Sequence, residues 1–120
     1  MKVVVTAQGP TADSPVDPRF GRAQYLILAD TETGECTAFE NVANLNAVQG
    51  AGIQTGKRVV DLAAKAVITG HVGPKAFSTL SAAGIEVYTD ASGTVNQAIE
   101  QFKAGALQRA QGADVKGHWA

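Results

Sequence analysis

The chain has 120 residues, a formal net charge of −1 and 45% apolar residues. This length suits one domain, and a chain of this size buries roughly two-thirds of its unfolded surface, so it needs neither disulfides nor a structural metal to fold. The small net charge argues against nucleic acid or an anionic membrane as a bulk electrostatic partner.

The first half of the chain predicts three strands and one long polar loop. A short run of β-branched residues predicts a buried strand over residues 3–7. Residues 8–21 form a polar loop that holds three of the four prolines, and loops of this length in compact domains are usually functional or mobile. Apolar runs over residues 25–29 and 36–40, joined by a short turn, predict an antiparallel hairpin. The third strand is expected at an edge of the sheet.

The second half of the chain alternates helices with strands. In chain order it predicts a helix over residues 51–64, a strand over 66–69, a helix that begins at Pro74, a strand over 85–88 and a last helix after Thr94. The periodicity places Ile53, Val60, Ala63 and Ala64 on the apolar face of the first helix. Thr94 and Gln97 have the spacing of a capping box.

The order of these elements, β-β-β-α-β-α-β-α, predicts an α/β fold. Strand–helix–strand units make parallel pairs through right-handed crossovers, whereas the hairpin adds antiparallel strands. We therefore expect residues 1–107 to form a single domain with a mixed five-stranded sheet flanked by helices. Residues 108–120 are predicted to be a polar tail, and its end, Gly117-His118-Trp119-Ala120, is better interpreted as frayed than as docked.

The sequence contains no recognisable targeting signal and a single cysteine, which limits both the expected location and the kinds of site. Nothing resembles a signal peptide, and no apolar run approaches the length of a bilayer span, so we expect a cytoplasmic protein with no membrane partner. The single cysteine, Cys36, excludes an internal disulfide and a site built only from cysteines of one chain. Because no histidine lies near it in the sequence, we expect Cys36 to be a small packing residue rather than a nucleophile.

The first candidate ligand loop, Thr69-Gly70-His71-Val72-Gly73-Pro74, joins a predicted strand to a predicted helix. In open α/β sheets, ligands bind beyond the carboxyl ends of parallel strands. The two glycines allow a close backbone approach, and a helix N-terminus contributes about half a positive charge. His71 can ligate a metal through a neutral ring nitrogen or donate a hydrogen bond to an anion. The alternative is an ordinary strand-to-helix turn in which His71 has only a structural role.

The second candidate ligand loop spans residues 14–22 and places Arg19 and Arg22 on either side of a Phe20-Gly21 turn. Guanidinium groups suit anions that present several oxygen or sulfur atoms. The alternative is a solvated loop, or a loop that is held in place because Asp17 pairs with one of the arginines.

Signatures of enzymes are missing from the sequence. Neither a GxxxxGK[ST] phosphate loop nor a GxGxxG motif after the first strand is present, and the carboxylates are scattered rather than paired as in a metal-dependent nuclease. A hydrolase that acts on a phosphorylated ligand at His71 would lack its nucleophile. We therefore expect a protein that is not an enzyme.

Four motifs in the same order resemble the dinitrogenase iron–molybdenum cofactor biosynthesis family. They are Val-Asp-Pro-Arg-Phe-Gly-Arg-Ala at 16–23, Gly-Ala-Gly-Ile-Gln at 50–54, Ala-Val-Ile-Thr-Gly-His-Val-Gly-Pro-Lys-Ala-Phe at 66–77 and Ala-Gly-Ile-Glu-Val-Tyr at 83–88. The segment from Gly93 to Gly105 continues the resemblance, which covers residues 1–107.

The resemblance implies a small ribonuclease H-like α/β domain that carries or escorts a metal–sulfur cluster. Its cargo would be a labile cluster containing molybdenum, iron or both, such as a precursor of the iron–molybdenum cofactor. Its partners would be cluster donor and acceptor proteins, with the chain itself a monomer or weak dimer. The alternative is a regulatory protein-interaction module that binds no metal.

The two loops together predict a cradle for such a cluster. A sulfide-bridged cluster is polyanionic, so cationic side chains and backbone N–H groups suit it better than a full cysteine cage. Both loops follow strands that this fold places side by side, and we expect them to meet. The residues expected to bind the cluster are Arg19, Phe20, Gly21, Arg22, Thr69, Gly70, Val72 and Gly73, with His71 as a candidate metal ligand.

Overall fold

The computed structural model describes residues 1–41 and 51–112 and shows a mixed sheet with three α-helices. The strands are β1 (Lys2–Ala7), β2 (Tyr25–Asp30), β3 (Cys36–Glu40), β4 (Ala66–Ile68), β5 (Glu86–Thr89) and β6 (Gln108–Arg109). The helices are α1 (Ala51–Asp61), α2 (Pro74–Ala82) and α3 (Val95–Lys103), and a 3₁₀ turn spans Phe20–Arg22. In the described part of the chain, no helix is long and apolar enough to cross a membrane.

The sheet has the strand order β3-β2-β1-β4-β5-β6. β1 pairs with β4, and β4 with β5, in parallel, whereas the other three pairings are antiparallel. The predicted hairpin and the predicted parallel crossovers are therefore present. β3 lies at one edge of the sheet, as expected. The carboxyl ends of β1, β4 and β5 consequently share one end of the sheet, from which the two candidate ligand loops leave.

The sheet has six strands, so the prediction of five strands was wrong. The sixth strand, β6, pairs with β5 through Tyr88 and Arg109, and the Ala110 N–H donates to the Val87 carbonyl at 2.8 Å. β6 lies in the segment that the sequence predicted as a polar tail. A two-residue exposed strand has no apolar alternation, so periodicity could not reveal it. The end of the tail, with His118 and Trp119, lies outside the described residues.

Each face of the sheet packs against its own helices because successive side chains of a strand point to opposite faces. On β1, Val3, Val5 and Ala7 join a core with α3, whereas Val4 joins a second core with α1 and α2. All of these side chains are buried, as expected for a central strand covered on both faces.

The predicted apolar face of α1 was partly wrong, since Ala64 is buried and Ile53 half-buried, but Val60 and Ala63 are exposed. Val60 is 40% exposed, and the buried residues of the helix are Ala51, Gly52, Thr55, Gly56 and Val59. A Cβ on Gly56 would lie 3.1 Å from the Thr79 Cγ2 atom of α2, so a small residue permits the close approach of the two helices. The helix also ends at Asp61 rather than at residue 64, and Ala63 adopts a positive φ of 59° just beyond it.

The predicted capping box at the start of α3 is present. The Thr94 side chain accepts a hydrogen bond from the Gln97 backbone N–H at 3.2 Å, and the Gln97 side chain accepts one from the Thr94 N–H at 2.9 Å. Thr94→Ala should therefore lower the free energy of unfolding by about 1 kcal/mol, measured by urea denaturation. Thr94→Ser keeps the accepting oxygen and should cost much less; an equal loss in both variants would contradict this role.

Candidate functional site

The loops that follow β1, β4 and β5 are joined to one another by backbone hydrogen bonds. The Asp17 N–H donates to the Thr6 carbonyl at 2.9 Å, which holds the first loop on the end of β1. The Asp90 N–H donates to the Gly70 carbonyl at 3.0 Å, and the Val16 N–H donates to the Gly93 carbonyl at 2.9 Å. The candidate site is therefore one continuous surface at the carboxyl end of the parallel strands, the position where open α/β sheets bind ligands.

The two candidate ligand loops meet directly. The His71 N–H donates to the Pro18 carbonyl at 2.7 Å, and the Phe20 N–H donates to the His71 carbonyl at 3.2 Å. Arg19 and His71 thus form an isolated parallel β-bridge between the loops. This bridge, which we call the Arg19–His71 bridge, brings an arginine and a histidine from distant parts of the sequence to the same edge of the sheet.

Gly70 makes the close contact between the two loops possible because it has no side chain. A Cβ at position 70 would lie 2.7 Å from both the Pro18 Cα atom and the Pro18 carbonyl oxygen, closer than real Cβ contacts allow. The sequence suggested that this glycine lets the backbone approach a ligand. In the structure, it lets one loop approach the other.

Burial divides the predicted site residues into two groups. Arg19 is exposed, and Arg22 and His71 are half-buried, so these three side chains can reach a ligand. The remaining predicted residues are buried and shape the loops from within. They are Phe20, Gly21, Thr69, Gly70, Val72 and Gly73.

Two buried threonines support the site, and their role was not predicted. The Thr6 hydroxyl oxygen lies 2.7 Å from the Asp17 carbonyl oxygen and 2.8 Å from the Thr69 hydroxyl oxygen. Both threonines are fully buried. This network ties the ends of β1 and β4 to the arginine loop. The only signal in the sequence was a hydroxyl residue near the end of each of two apolar strands.

Asp17 is a buried carboxylate beneath the Arg19–His71 bridge. It is 5% exposed, and its Oδ1 atom accepts a hydrogen bond from the Arg19 backbone N–H at 3.0 Å. Burial raises the pKa of this carboxyl above its ordinary value, although the hydrogen bond from Arg19 and the charge of Arg19 oppose the rise. Asp17 therefore holds the loop by accepting a hydrogen bond from the Arg19 backbone N–H.

Asp17→Asn should show the cost of this buried charge. Because the folded protein holds the Asp17 proton more tightly than the unfolded chain does, the carboxyl stabilises the fold at low pH, and this contribution is lost as the pH rises through the raised pKa. An asparagine oxygen still accepts from the Arg19 N–H. Relative to the parent, Asp17→Asn should therefore be more stable at about pH 7 than at about pH 3, measured by urea unfolding.

A control for this prediction makes the same chemical change elsewhere in the loop. Asp13→Asn removes a carboxylate at an exposed position. If Asp17→Asn and Asp13→Asn show the same pH dependence relative to the parent, the buried charge of Asp17 has no special cost.

Lys75 is a further cation at the site that was not among the predicted residues. It lies in the first turn of α2, directly after Gly73 and Pro74, and it is exposed. No acidic residue occupies this first turn, although acidic residues are the ones that a helix N-terminus favours. Its position in the G-H-V-G-P-K sequence was the available signal. The two loops and the first turn of α2 therefore carry four residues whose chemistry suits an anion, Arg19, Arg22, His71 and Lys75.

The described residues do not offer a metal cage. Within residues 1–41 and 51–112, no group of three or more histidine, cysteine, aspartate or glutamate side chains is placed to hold a metal ion. Cys36 pairs with Ala29 in the sheet, whereas the site end of β2 is Tyr25, which pairs with Ala7. The thiol therefore lies toward the opposite end of the sheet from the site. It is exposed, so its predicted role as a packing residue was wrong.

The chain resembles a known protein family over most of its length. Residues 1–105 match the family model described as dinitrogenase iron-molybdenum cofactor. The chain belongs to this family. The match includes both loops of the Arg19–His71 bridge and extends past the end of α3. Membership indicates an accessory role related to a metal cofactor, and the predicted resemblance is confirmed.

Two solved structures resemble the chain over most of its length. The orange protein from Desulfovibrio gigas, solved in its apo form, is 40% identical, has a TM-score of 0.92 and is matched over 95% of this chain and 96% of its own. An NMR structure from Thermotoga, described as a candidate NifB protein of the DUF35 family, is 36% identical with a TM-score of 0.78, over 90% and 91% of the two chains. An uncharacterized protein from Methanocaldococcus jannaschii is 28% identical over 102 residues, 83% of this chain and 86% of that protein.

Proposed function

We propose that the protein binds and carries an anionic metal–sulfur cluster, containing molybdenum, iron or both, at the edge of the sheet where its two ligand loops meet. The observation that carries this proposal is the Arg19–His71 bridge, which unites an arginine loop with a histidine loop. The cargo class comes from the family, whose description names the iron–molybdenum cofactor of dinitrogenase. We include a ribonuclease H-like classification of the fold in the proposal.

The chemistry of the site suits a charged cargo that must later be released. Sulfide-bridged clusters are polyanions, and guanidinium groups match anions that have several acceptor atoms. Arg19, Arg22 and Lys75 supply positive charge, and His71 supplies either a hydrogen-bond donor or one labile metal ligand. A site that binds the cluster through charge rather than through several thiolate ligands can release it to another protein. We therefore propose a non-enzymatic carrier that exchanges its cargo with cluster donor and acceptor proteins.

Relatives support this proposal from two directions. One structure that is 40% identical is described as the apo form of the orange protein. A second relative is described as a candidate NifB protein. Both cover nine-tenths or more of this chain, and the family match over residues 1–105 includes both site loops.

Reconstitution with a defined cluster tests the proposal. The purified protein is mixed with tetrathiomolybdate and a copper or iron salt without oxygen, and the complex is separated by gel filtration. We expect a stable coloured complex whose visible absorption elutes with the protein. Arg19→Ala and His71→Ala should each weaken binding about tenfold, the effect of losing one charge-assisted hydrogen bond.

The control for this experiment is a cation far from the site. Lys65 is exposed and precedes β4, so it lies at the opposite end of that strand from Thr69. Lys65→Ala should bind the cluster as the parent does. If Arg19→Ala and His71→Ala also bind like the parent, the cluster does not occupy the proposed site.

A further inference from the structure

Within residues 1–41 and 51–112, no strand pairs with the outer edge of β3, which carries acidic residues. β3 is the terminal strand of the sheet, and four of its five residues are exposed. Exposed edges are usually blocked by charged side chains, especially lysine, or by proline, a bulge or a very short strand. The sequence of β3, Cys-Thr-Ala-Phe-Glu, contains neither lysine nor proline, and its pairing with β2 is regular along the whole strand.

Hydrogen bonds at both ends of the hairpin show which backbone groups face outward. The Asn41 N–H donates to the Gln24 carbonyl, and the Asp30 N–H donates to the Glu35 carbonyl. Because hydrogen-bonded and non-hydrogen-bonded pairs alternate in an antiparallel ladder, Thr37 and Phe39 turn their N–H and C=O groups toward β2. The corresponding groups of the alternate residues face away from β2. Those residues are Cys36, Ala38 and Glu40.

The charged residues of the hairpin, from Tyr25 to Glu40, are all acidic. Glu32, Glu35 and Glu40 are exposed, and the sequence contains no lysine or arginine between Arg22 and Lys57. Arg58 lies over the ring of Phe39 at 5.2 Å and therefore covers one face of the strand rather than its outer edge. Lys2, on β1, lines a pocket on one face of the sheet with Glu35 and Thr37. An extended partner segment would meet unpaired backbone groups between acidic side chains.

We propose that β3 is a docking edge for an extended, basic segment of a partner protein, which adds to the sheet as a seventh strand. Main-chain hydrogen bonds to Cys36, Ala38 and Glu40 supply the affinity, and lysine or arginine side chains opposite Glu35 and Glu40 select the partner. A second copy of this chain fits poorly. Antiparallel pairing about Ala38 would place Glu40 of one copy opposite Cys36 of the other and Glu35 opposite Asn41, so neither glutamate would meet a cation.

A peptide probe tests this docking edge independently of the cluster. Because Glu35 and Glu40 are five residues apart and point to opposite faces of the sheet, the probe is the peptide Lys-Val-Thr-Val-Thr-Lys, whose two lysines also point to opposite faces. The matched control peptide has glutamate in place of both lysines. We expect the lysine peptide to slow amide hydrogen exchange at Cys36, Ala38 and Glu40, and we expect added salt to weaken the effect. The glutamate peptide should leave exchange at these amides unchanged.

Two variants separate docking from stability. The N–H of Ala38 faces outward, so Ala38→Pro removes a donor from the edge without removing a hydrogen bond from the hairpin. Ala38→Pro should weaken peptide binding at least tenfold, whereas Ala38→Ser should bind like the parent. Equal binding by both variants, no protection by the lysine peptide, or a concentration-dependent dimer formed through β3 would overturn the proposal.

Discussion

Gly70→Ala should be the most damaging single-methyl change in the described part of the chain, with an expected loss of about 3 kcal/mol in the free energy of unfolding. The added Cβ would lie 2.7 Å from the Pro18 Cα atom and the Pro18 carbonyl oxygen, and these backbone atoms cannot rotate away as a flexible side chain could. The Pro18 carbonyl must therefore move. This movement lengthens or breaks the hydrogen bond that the carbonyl accepts from the His71 N–H, which is 2.7 Å long in the parent.

The measurement is urea denaturation followed by circular dichroism, with Gly112→Ala as the matched control. A Cβ at position 112 would have no neighbour within 4 Å, so that variant should keep the stability of the parent. Gly70→Ala should also lose affinity for a tetrathiomolybdate-derived cluster, even under conditions where it remains folded, because the Arg19–His71 bridge is displaced. Parent-like stability and cluster binding in Gly70→Ala would show that the loops do not depend on their close contact.

Arg19→Glu should weaken binding of the reconstituted cluster by about 100-fold, equivalent to about 2.7 kcal/mol. The substitution removes a cation from the exposed side of the Arg19–His71 bridge and adds an anion that repels a polyanionic cargo. The stability of the fold should change little, because the Arg19 side chain is exposed and its backbone bonds are retained. Titration followed by visible absorption measures the affinity.

Salt and position provide the controls for Arg19→Glu. Lys65→Glu makes a similar reversal of charge at the other end of β4 and should change affinity far less. Raising the ionic strength should narrow the gap between the parent and Arg19→Glu, because salt screens exposed charges. An equal loss of affinity in Arg19→Glu and Lys65→Glu would mean that overall charge, rather than this site, governs binding.

Local sequence patterns predicted most of the sheet because its central strands are short and continuously apolar. The short, continuously apolar runs at residues 3–7 and 66–69 predict buried strands, and the short turn after Asp30 predicts a hairpin. β6 could not be predicted, since two polar residues acquire their strand character only by pairing with β5. The buried face of α1 was only partly predicted, because contact with α2 selects small residues such as Gly56 over larger apolar ones such as Val60.

The candidate site was partly predictable for a topological reason. β1 and β4 were expected to be neighbours, so the loops that follow them were expected to meet, and they do. The role of each residue at the site, however, could be learned only from the three-dimensional structure. Gly70 accommodates Pro18, and Thr6 and Asp17 tie the arginine loop to the sheet. Such long-range contacts leave no local pattern in the sequence.

Metal analysis of the protein purified without oxygen from the organism that encodes it tests the central claim most directly. Molybdenum, iron, copper and acid-labile sulfide would be measured against protein concentration, for the parent and for Arg19→Glu expressed at the same level. We predict molybdenum or iron together with sulfide in a fixed ratio to the parent protein, and a strongly reduced content in Arg19→Glu. A parent protein that carries no more metal and sulfide than Arg19→Glu does would contradict the proposal that this site carries a cluster.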